Sequence, residues 1–465
     1  MRRFQKSVHS FWPLILALLL ISCSASSGGT VPSSSKPANV VFFIADGCGA
    51  ASYGLARQYQ LDVEGVPKLH LDSYERGSVI TFPDSIRVTD SAASATAFAC
   101  AVKTMNGRIG MDSHGESVET VLEMAERAGY ATGLISTARI SHATPAAFSS
   151  HVISRDMEEE IASQQITKGI ELLLGGGKRY YLPTEDGGRR TDGRNVIAEA
   201  QAQGYARVDD RAALMEAESL PLIGLFTDSH MAYEIDRDSD VEPSLAEMTT
   251  KSLELLSKTG KPFFIMIEAG RIDHAAHGND PAAHLWDVFA YDEAWQSAIE
   301  FARADGATLV LGTSDHETGG LTLGAEHGGI GGSGYAYDPT KLQPVNSSIE
   351  YFTGELATRM EAGTPSGAWF VEKMRSSFNI NVASFAEEID QMMAVADTNR
   401  VIAARQIGRF VSRVTSDSAR VGWSTGGHTS VNVPIFAFGP GSEIVGGVMD
   451  NTEVGEALRL VMGLE

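Results

Sequence analysis

Cysteine is scarce in this 465-residue chain: only Cys23, Cys48 and Cys100 are present, which excludes a disulfide scaffold. Cys48 and Cys100 are expected as small buried apolar filler, and their spacing leaves open whether they pair. Positive charge is also short, with 37 Lys and Arg against 59 Asp and Glu and a formal net charge of −22. That balance argues against nucleic acid or an anionic membrane surface as a partner, because both are bound through basic surface. An anionic small molecule would need strong local positive charge, of the kind bound metal ions supply. The chain has no convincing Ser-His-Asp elbow of the G-x-S-x-G type, and no internal repeat stands out. Its one strongly apolar terminal segment, residues 11–21, is too short to span a bilayer comfortably. What is present is a globular balance, 43% hydrophobic and 21% charged, that implies one large α/β domain carrying insertions.

Residues 1–22 stand apart: Arg2, Arg3 and Lys6 precede the apolar segment, and Ser22-Cys23 follows it. They resemble a secretory signal peptide ending in the lipobox of bacterial lipoproteins, here Leu20-Ile21-Ser22-Cys23. The resemblance implies cleavage before Cys23, a lipid on its sulfur, and a flexible Ser/Gly/Pro-rich tether over residues 23–38. Ordinary signal cleavage among the small residues after Ser22 is the alternative. Either route exports the protein, to the periplasm or cell surface, with any membrane attachment made by the lipid anchor alone.

From residue 39 onward, apolar runs repeatedly hand over polar residues at their carboxyl ends. Residues 39–45 (NVVFFIA) end in Asp46-Gly47, residues 130–136 lead to His142 and Thr144, and residues 263–267 (FFIMI) end in Glu268. Residues 308–312 lead to Asp315-His316, and residues 433–438 follow His428. Helical patterns fall between them over residues 118–128, 245–257 and 283–302. This alternation predicts a doubly wound, mainly parallel central sheet with helices on both faces, and such sheets place ligands beyond the carboxyl ends of their strands. Two regions break the rhythm. Residues 174–210 read as an elaborated surface loop. Residues 324–421 read as a surface insertion, a lid, crown or dimer element, entered through the Gly-rich loop 328–334. Part of the insertion is helical, with Ile349, Phe352, Leu356 and Met360 on one face and a second candidate helix over 397–414.

A helix starting near Arg271 puts Asp273 and His277 four residues apart, one turn from each other on one face, where a carboxylate and an imidazole can share a divalent ion. Ser91 heads a run of small residues, Ser91 to Ala97, expected to be helical, and a helix amino end presents bare N–H groups that suit a phosphate. A serine hydroxyl is a weak nucleophile unless a base or a metal lowers its pKa. This chain offers metal ligands in plenty.

Taken together, FIADG, TDSAASATA, HATPAAF with HVISR, IEAGRIDHAAHG, TSDHETGG and GGHT resemble the alkaline phosphatase family, in which a serine between two zinc ions attacks a phosphomonoester. The likeness covers most of residues 39–465, taken as the catalytic domain, and leaves out the 324–421 insertion. It implies two zinc ions and one magnesium ion per chain, a phosphoserine intermediate on Ser91, and phosphate held by Arg155. Asp46, Asp315 and His316 would bind the zinc that activates Ser91, while Asp273, His277 and His428 would bind the other. Asp46, Thr144 and Glu268 would bind magnesium, whose preference for oxygen donors they match. Within the family, His142 and His274 stand where some members carry aspartate and lysine. The expected consequence is a less acidic third metal site and fewer direct positive contacts to phosphate; the alternative is that both histidines only hydrogen-bond behind the ligands. His70, His114, His230, His284 and His327 are expected to be structural or solvated. The substrates implied are small phosphomonoesters, and a homodimer is implied by the likeness alone. Two rivals are weighed against this reading: a phosphodiesterase of the same superfamily, and a lipid-anchored phosphate or metal binding protein without turnover.

Overall fold

A computed structural model describes residues 36–325, 336–363, 367–396 and 400–464. The expectations for residues 1–35, Cys23 and its lipid among them, for His327 and for the loop 328–334 lie outside the described residues. Among the described residues, no helix is long and apolar enough to cross a membrane.

The apolar runs fold as strands of one ten-stranded sheet: β1 (Asn39–Ile44), β2 (Glu75–Ile80), β3 (Ala131–Arg139), β4 (Leu172–Gly176), β5 (Ala206–Val208), β6 (Leu222–Leu225), β7 (Phe263–Glu268), β8 (Thr308–Thr313), β13 (Val433–Phe438) and β14 (Gly447–Asp450). Four short strands, β9 (Glu317–Thr318), β10 (Leu321–Leu323), β11 (Val421–Trp423) and β12 (His428–Thr429), form two small antiparallel pairs beside it. The order across the large sheet is β14-β2-β13-β8-β1-β7-β3-β4-β6-β5. Every pairing from β8 to β5 is parallel, while β13 runs antiparallel to both β8 and β2.

β1 and β7 are apolar on consecutive positions because both sheet faces are covered. Val41, Phe43, Ile265 and Ile267 enter the core on one face; Val40, Phe42, Ile44, Phe264 and Met266 enter the core on the other. Each such large side chain, fully buried, contributes about 1.5–3 kcal/mol. One core is closed by the helix Pro281–Asp305, which begins with Asp280 as cap and proline in its first turn and ends at Gly306 in the left-handed conformation. The other core includes the helix Ser91–Cys100, whose ten residues are all buried.

Register fixes the site. Ile44 is level with Glu268 and with Thr313, and Ser136 is level with Glu268. β1, β7 and β8 therefore finish in one row, level with Ser136 of β3, which runs on to Arg139, and the residues that follow them converge.

Some elements differ from expectation. The helix expected over 118–128 begins only at Val121, because Thr120 and Glu123 form a reciprocal cap that stops it there. The stretch 174–210 is not a surface loop. It contains the end of β4, the helix Val196–Ala202 and β5, and it buries Tyr181 and Arg190 almost completely. Cys48 and Cys100 are buried and unpaired, as filler should be.

The insertion is pinched at its base by the antiparallel pair of β10 with β11. Within it the helices Ile349–Glu361, Gly367–Phe378, Ala386–Ala396 and Arg400–Ala419 surround a small core of their own, including Phe352, Met374, Ile407 and Val411, with Ala282 contributed by the main body. The expected apolar face of Ile349, Phe352, Leu356 and Met360 is buried as a unit.

Candidate active site

Ser91 is the first residue of its helix, and Asp90 is the cap. Asp90 Oδ1 accepts the N–H of Ala93 at 2.9 Å, while Oδ2 accepts the N–H of Gly107 at 2.9 Å and Nη1 of Arg155 at 3.1 Å. One carboxylate thus fixes the helix end, a neighbouring loop and the arginine. The run of Ala, Ser and Thr lets the helix sink between its neighbours. A Cβ on Gly455 of the helix Asn451–Met462 would lie 2.7 Å from the carbonyl oxygens of Ala97 and Phe98. Ser91 is buried, and its Oγ lies 3.2 Å from His316 Nε2.

Beyond the strand ends lie the expected ligands. His316 Nε2 is 3.2 Å from Asp315 Oδ2 and 3.6 Å from Asp46 Oδ1. His277 Nε2 is 3.3 Å from Asp273 Oδ2 and 3.1 Å from His428 Nε2. The two groups touch, for His316 and His428 stack with ring centres 3.5 Å apart. Donor atoms fall into three sets, each within 4.8 Å: Asp46, Asp315 and His316; Asp273, His316 and His428; and Asp46, His142 and Glu268. Thr144 is fully buried in the helix Ala143–Ser149, beside the third set.

The donor sets fit divalent cations on the structure's own terms. Asp46, Glu268, Asp273 and Asp315 are all buried, and buried carboxylates require a counter-charge. Neither oxygen of Asp46 accepts a hydrogen bond, nor does Asp315 Oδ2. Burial, then Asp315, Asp273 and Glu268, push the Asp46 carboxyl well above its usual range. Burial likewise pushes Glu268 up to about 7, against the pull of the Ser136 hydroxyl. His277 is also raised, to about 9, because Asp273 is hydrogen-bonded to it, a shift that favours its charged form. Carboxylate with imidazole suits zinc, and a site rich in carboxylate and hydroxyl oxygen suits magnesium.

Arg155 does not pair with the acidic run that follows it. Its Nη2 donates to His142 Nε2 at 3.1 Å, which leaves the remaining proton of a neutral imidazole on Nδ1, a buried atom without a hydrogen bond. Burial and then Arg155 hold His142 well below the usual histidine range. His274 accepts Nη1 of Arg271 on Nδ1 at 2.9 Å, and burial followed by Arg271 lowers it to about 3. Both histidines are thus hydrogen-bonded to arginines, and a ring nitrogen of His142 lies within 4.8 Å of carboxylate oxygens of Asp46 and Glu268.

Three contributors were not read as site residues, among them His230, which was expected to be structural or solvated. His230 packs its ring 4.2 Å from that of His274 and 5.4 Å from that of His142, and it bonds to Arg139, so it belongs to the site wall. Thr318 Oγ1 donates to Asp273 Oδ1 at 2.6 Å and lies 3.1 Å from His316 Nδ1, bridging two ligands. Ser136 Oγ donates to Glu268. Thr318 was within reach, since it belongs to the TSDHETGG motif; His230 sits in no motif at all.

The class this defines is an α/β enzyme whose serine, arginine and acidic cation cradle gather at the carboxyl edge of a parallel sheet. The sequence model described as alkaline phosphatase matches residues 37–464. The chain is 36% identical over 486 aligned residues to the repressible alkaline phosphatase of Saccharomyces cerevisiae, covering 96% of this chain and 85% of that protein. A solved alkaline phosphatase of Thermus thermophilus superposes with a TM-score of 0.82 at 31% identity, covering 97% of this chain and 96% of that one. An alkaline phosphatase of the Antarctic bacterium TAB5, with a histidine replaced by glutamate and Mg bound in its M3 site, matches at 26% identity and a TM-score of 0.66, covering 92% of this chain and 99% of that one. The chain belongs to the alkaline phosphatase family, and it is accordingly a phosphomonoester hydrolase.

Proposed function

We propose that the chain releases inorganic phosphate from small phosphomonoesters in two displacements, with Ser91 as the nucleophile. The observation that carries this reading is the placement of a buried serine hydroxyl at a helix amino end, against His316 and near buried carboxylate oxygens, both of Asp46 and one of Asp315, that accept no hydrogen bond among the described residues. Two zinc ions would be held by Asp46, Asp315 and His316, and by Asp273, His277 and His428. One magnesium ion would be held by Asp46, Thr144 and Glu268, a reading supported by the magnesium in the TAB5 enzyme. When bound, these ions would lower the pKa of hydroxyl and water oxygens and balance charge on the attacking and departing oxygens.

The chain's own residues supply the rest. In the first displacement Ser91 Oγ attacks phosphorus, the bond to the ester oxygen breaks, the hydroxyl proton is lost and the alcohol departs. In the second, a water oxygen attacks phosphorus, the bond to Ser91 Oγ breaks, and phosphate leaves with the serine restored. Arg155 matches two phosphate oxygens with its planar fork, held in place by Asp90 and His142. The helix amino end directs its N–H groups at the same phosphate. Thr318 orients Asp273 and His316, and Ser136 orients Glu268. On the residue 1–38 reading, the enzyme works outside the cytoplasm on a lipid tether.

Hydrolysis of an aryl phosphate, with metal content assayed on the same sample, tests the reading. Activity that falls with chelation and returns with zinc plus magnesium is expected. A fully metal-loaded protein without such activity would contradict it, and comparable rates on a phosphodiester would move the assignment to the diesterase class.

A further inference from the structure

Beside the ligand cluster opens a cavity of about 780 Å3. His274, His277 and Gly426 line one side, and the insertion helix Arg400–Ala419 lines another with Arg405, Arg409 and Arg413. Residues four apart stack one turn above the other on one helix face, so the three arginines form a row along the cavity. This wall is fixed to the site. Ser412 Oγ donates to the carbonyl of Asn279 at 2.7 Å, two residues past His277, and Asn279 Nδ2 donates to the carbonyl of Thr425 at 3.0 Å.

Three acids line the cavity, Asp417 one turn past Arg413 on the same helix and two that are committed elsewhere. Glu350 accepts Arg271 Nη2 at 2.6 Å, and Asp280 accepts the N–H groups of Ala282, Ala283 and Ile349. Arg413 is itself paired with Glu388 at 2.7 Å. Arg405 and Arg409 are exposed and make no ion pair among the described residues. In a chain of net charge −22, two guanidinium groups without an ion pair among the described residues, in a cavity that His274 and His277 also line, form a local anion trap.

We propose that this cavity receives the leaving-group side of phosphomonoesters whose alcohol carries a second phosphate, and that Arg405 and Arg409 bind that second phosphate. The proposal rests on the phosphomonoesterase reading above. Ile349 and Trp423, which also line the cavity, give the carbon skeleton between the two phosphates apolar surface. Contacts to the distant phosphate are the same before and during the reaction, so they lower KM and leave kcat unchanged.

The test is steady-state kinetics on the metal-loaded full chain with a hexose bisphosphate, a hexose monophosphate and nitrophenyl phosphate, comparing wild type with Arg405→Gln/Arg409→Gln. The expected result is a rise of about tenfold in KM for the bisphosphate at constant kcat, the scale of losing charge-assisted hydrogen bonds. KM for the monophosphate and for nitrophenyl phosphate should stay within about twofold, which also shows that the variant is folded. An unchanged KM for the bisphosphate, or equal rises for all three substrates, would overturn the proposal. A wild type that hydrolyses none of them would instead overturn the reading of function on which it stands.

Discussion

Arg155 reaches the head of the serine helix with both terminal nitrogens already engaged, one on Asp90 and one on His142. A lysine can replace the charge but not the planar two-point geometry. Arg155→Lys should therefore raise KM for an aryl phosphate and lower kcat/KM by about tenfold, and Arg155→Ala by about a hundredfold, near 1.4 kcal/mol per decade. Unchanged kinetics in Arg155→Lys would remove the clamp role. At Gly47 the constraint is steric. Its φ of +74° is left-handed, and a Cβ there would lie 2.7 Å from Cα of Asp273. Gly47→Ala should cost about 1–3 kcal/mol from backbone strain, and by pushing Asp273 it should also weaken zinc retention. Thermal unfolding and metal content after dialysis against a mild chelator would read both effects; a variant matching wild type in both would refute this account of the close approach.

Among elements, the helix Val121–Arg127 shows how local signals position distant chemistry. Glu123 accepts the N–H of Thr120 in the reciprocal cap, takes Lys168, and bonds His151 Nε2 at 2.9 Å. His151 begins the segment that ends at Arg155, so the cap also steadies the arginine. Burial raises the Glu123 carboxyl, but the bonds from His151, Lys168 and Thr120 outweigh it and bring it down to about 2, against 4.5 when unconstrained. Because the folded pKa is the lower one, Glu123 adds stability above about pH 4.5 and loses it as pH falls towards 2. The loss is on the order of 1–2 kcal/mol after solvent screening. In urea unfolding, the gap between wild type and Glu123→Gln should narrow across that window; a constant gap would contradict the assignment. The elements best foretold by sequence were those with two-sided burial. β1 and β7 are continuous apolar runs because nothing in them faces water, and their ends announced Asp46 and Glu268 directly. The start at Val121 was misread because residues 118–120 continue the apolar spacing while the cap at Thr120 overrules it. Residues 174–210 looked like a loop because their elements are short and glycine-rich, and burial of Arg190 depends on distant carbonyls of Glu159 and Tyr180.

Over the whole molecule, the order of the sheet turns separated motifs into one site. Residues 46, 144, 268 and 315 meet because β1, β3, β7 and β8 are neighbours in register, and His428 joins them because β12 pairs with β9 and β13 runs antiparallel to β8. Motifs carried by strand ends were legible for that reason. His230 was not, since it lies outside any helix or strand and meets His142, a helix cap, and His274, within the helix Arg271–His277, through packing that no periodicity describes. The insertion follows the same logic at larger scale. Its helices make a core of their own and return through β11, but one of them forms a wall of the cavity that His274 and His277 also line.

The central claim is that phosphate passes through Ser91. Acid quenching of the metal-loaded enzyme during turnover of an aryl phosphate, followed by mass spectrometry of its peptides, tests it most directly. The account predicts a phosphorylated peptide bearing Ser91, formed and lost at rates consistent with turnover. It also predicts that Ser91→Ala keeps its metals while losing both the phosphopeptide and hydrolysis. Full hydrolytic activity in Ser91→Ala, or a phosphopeptide mapped to another residue, would contradict it.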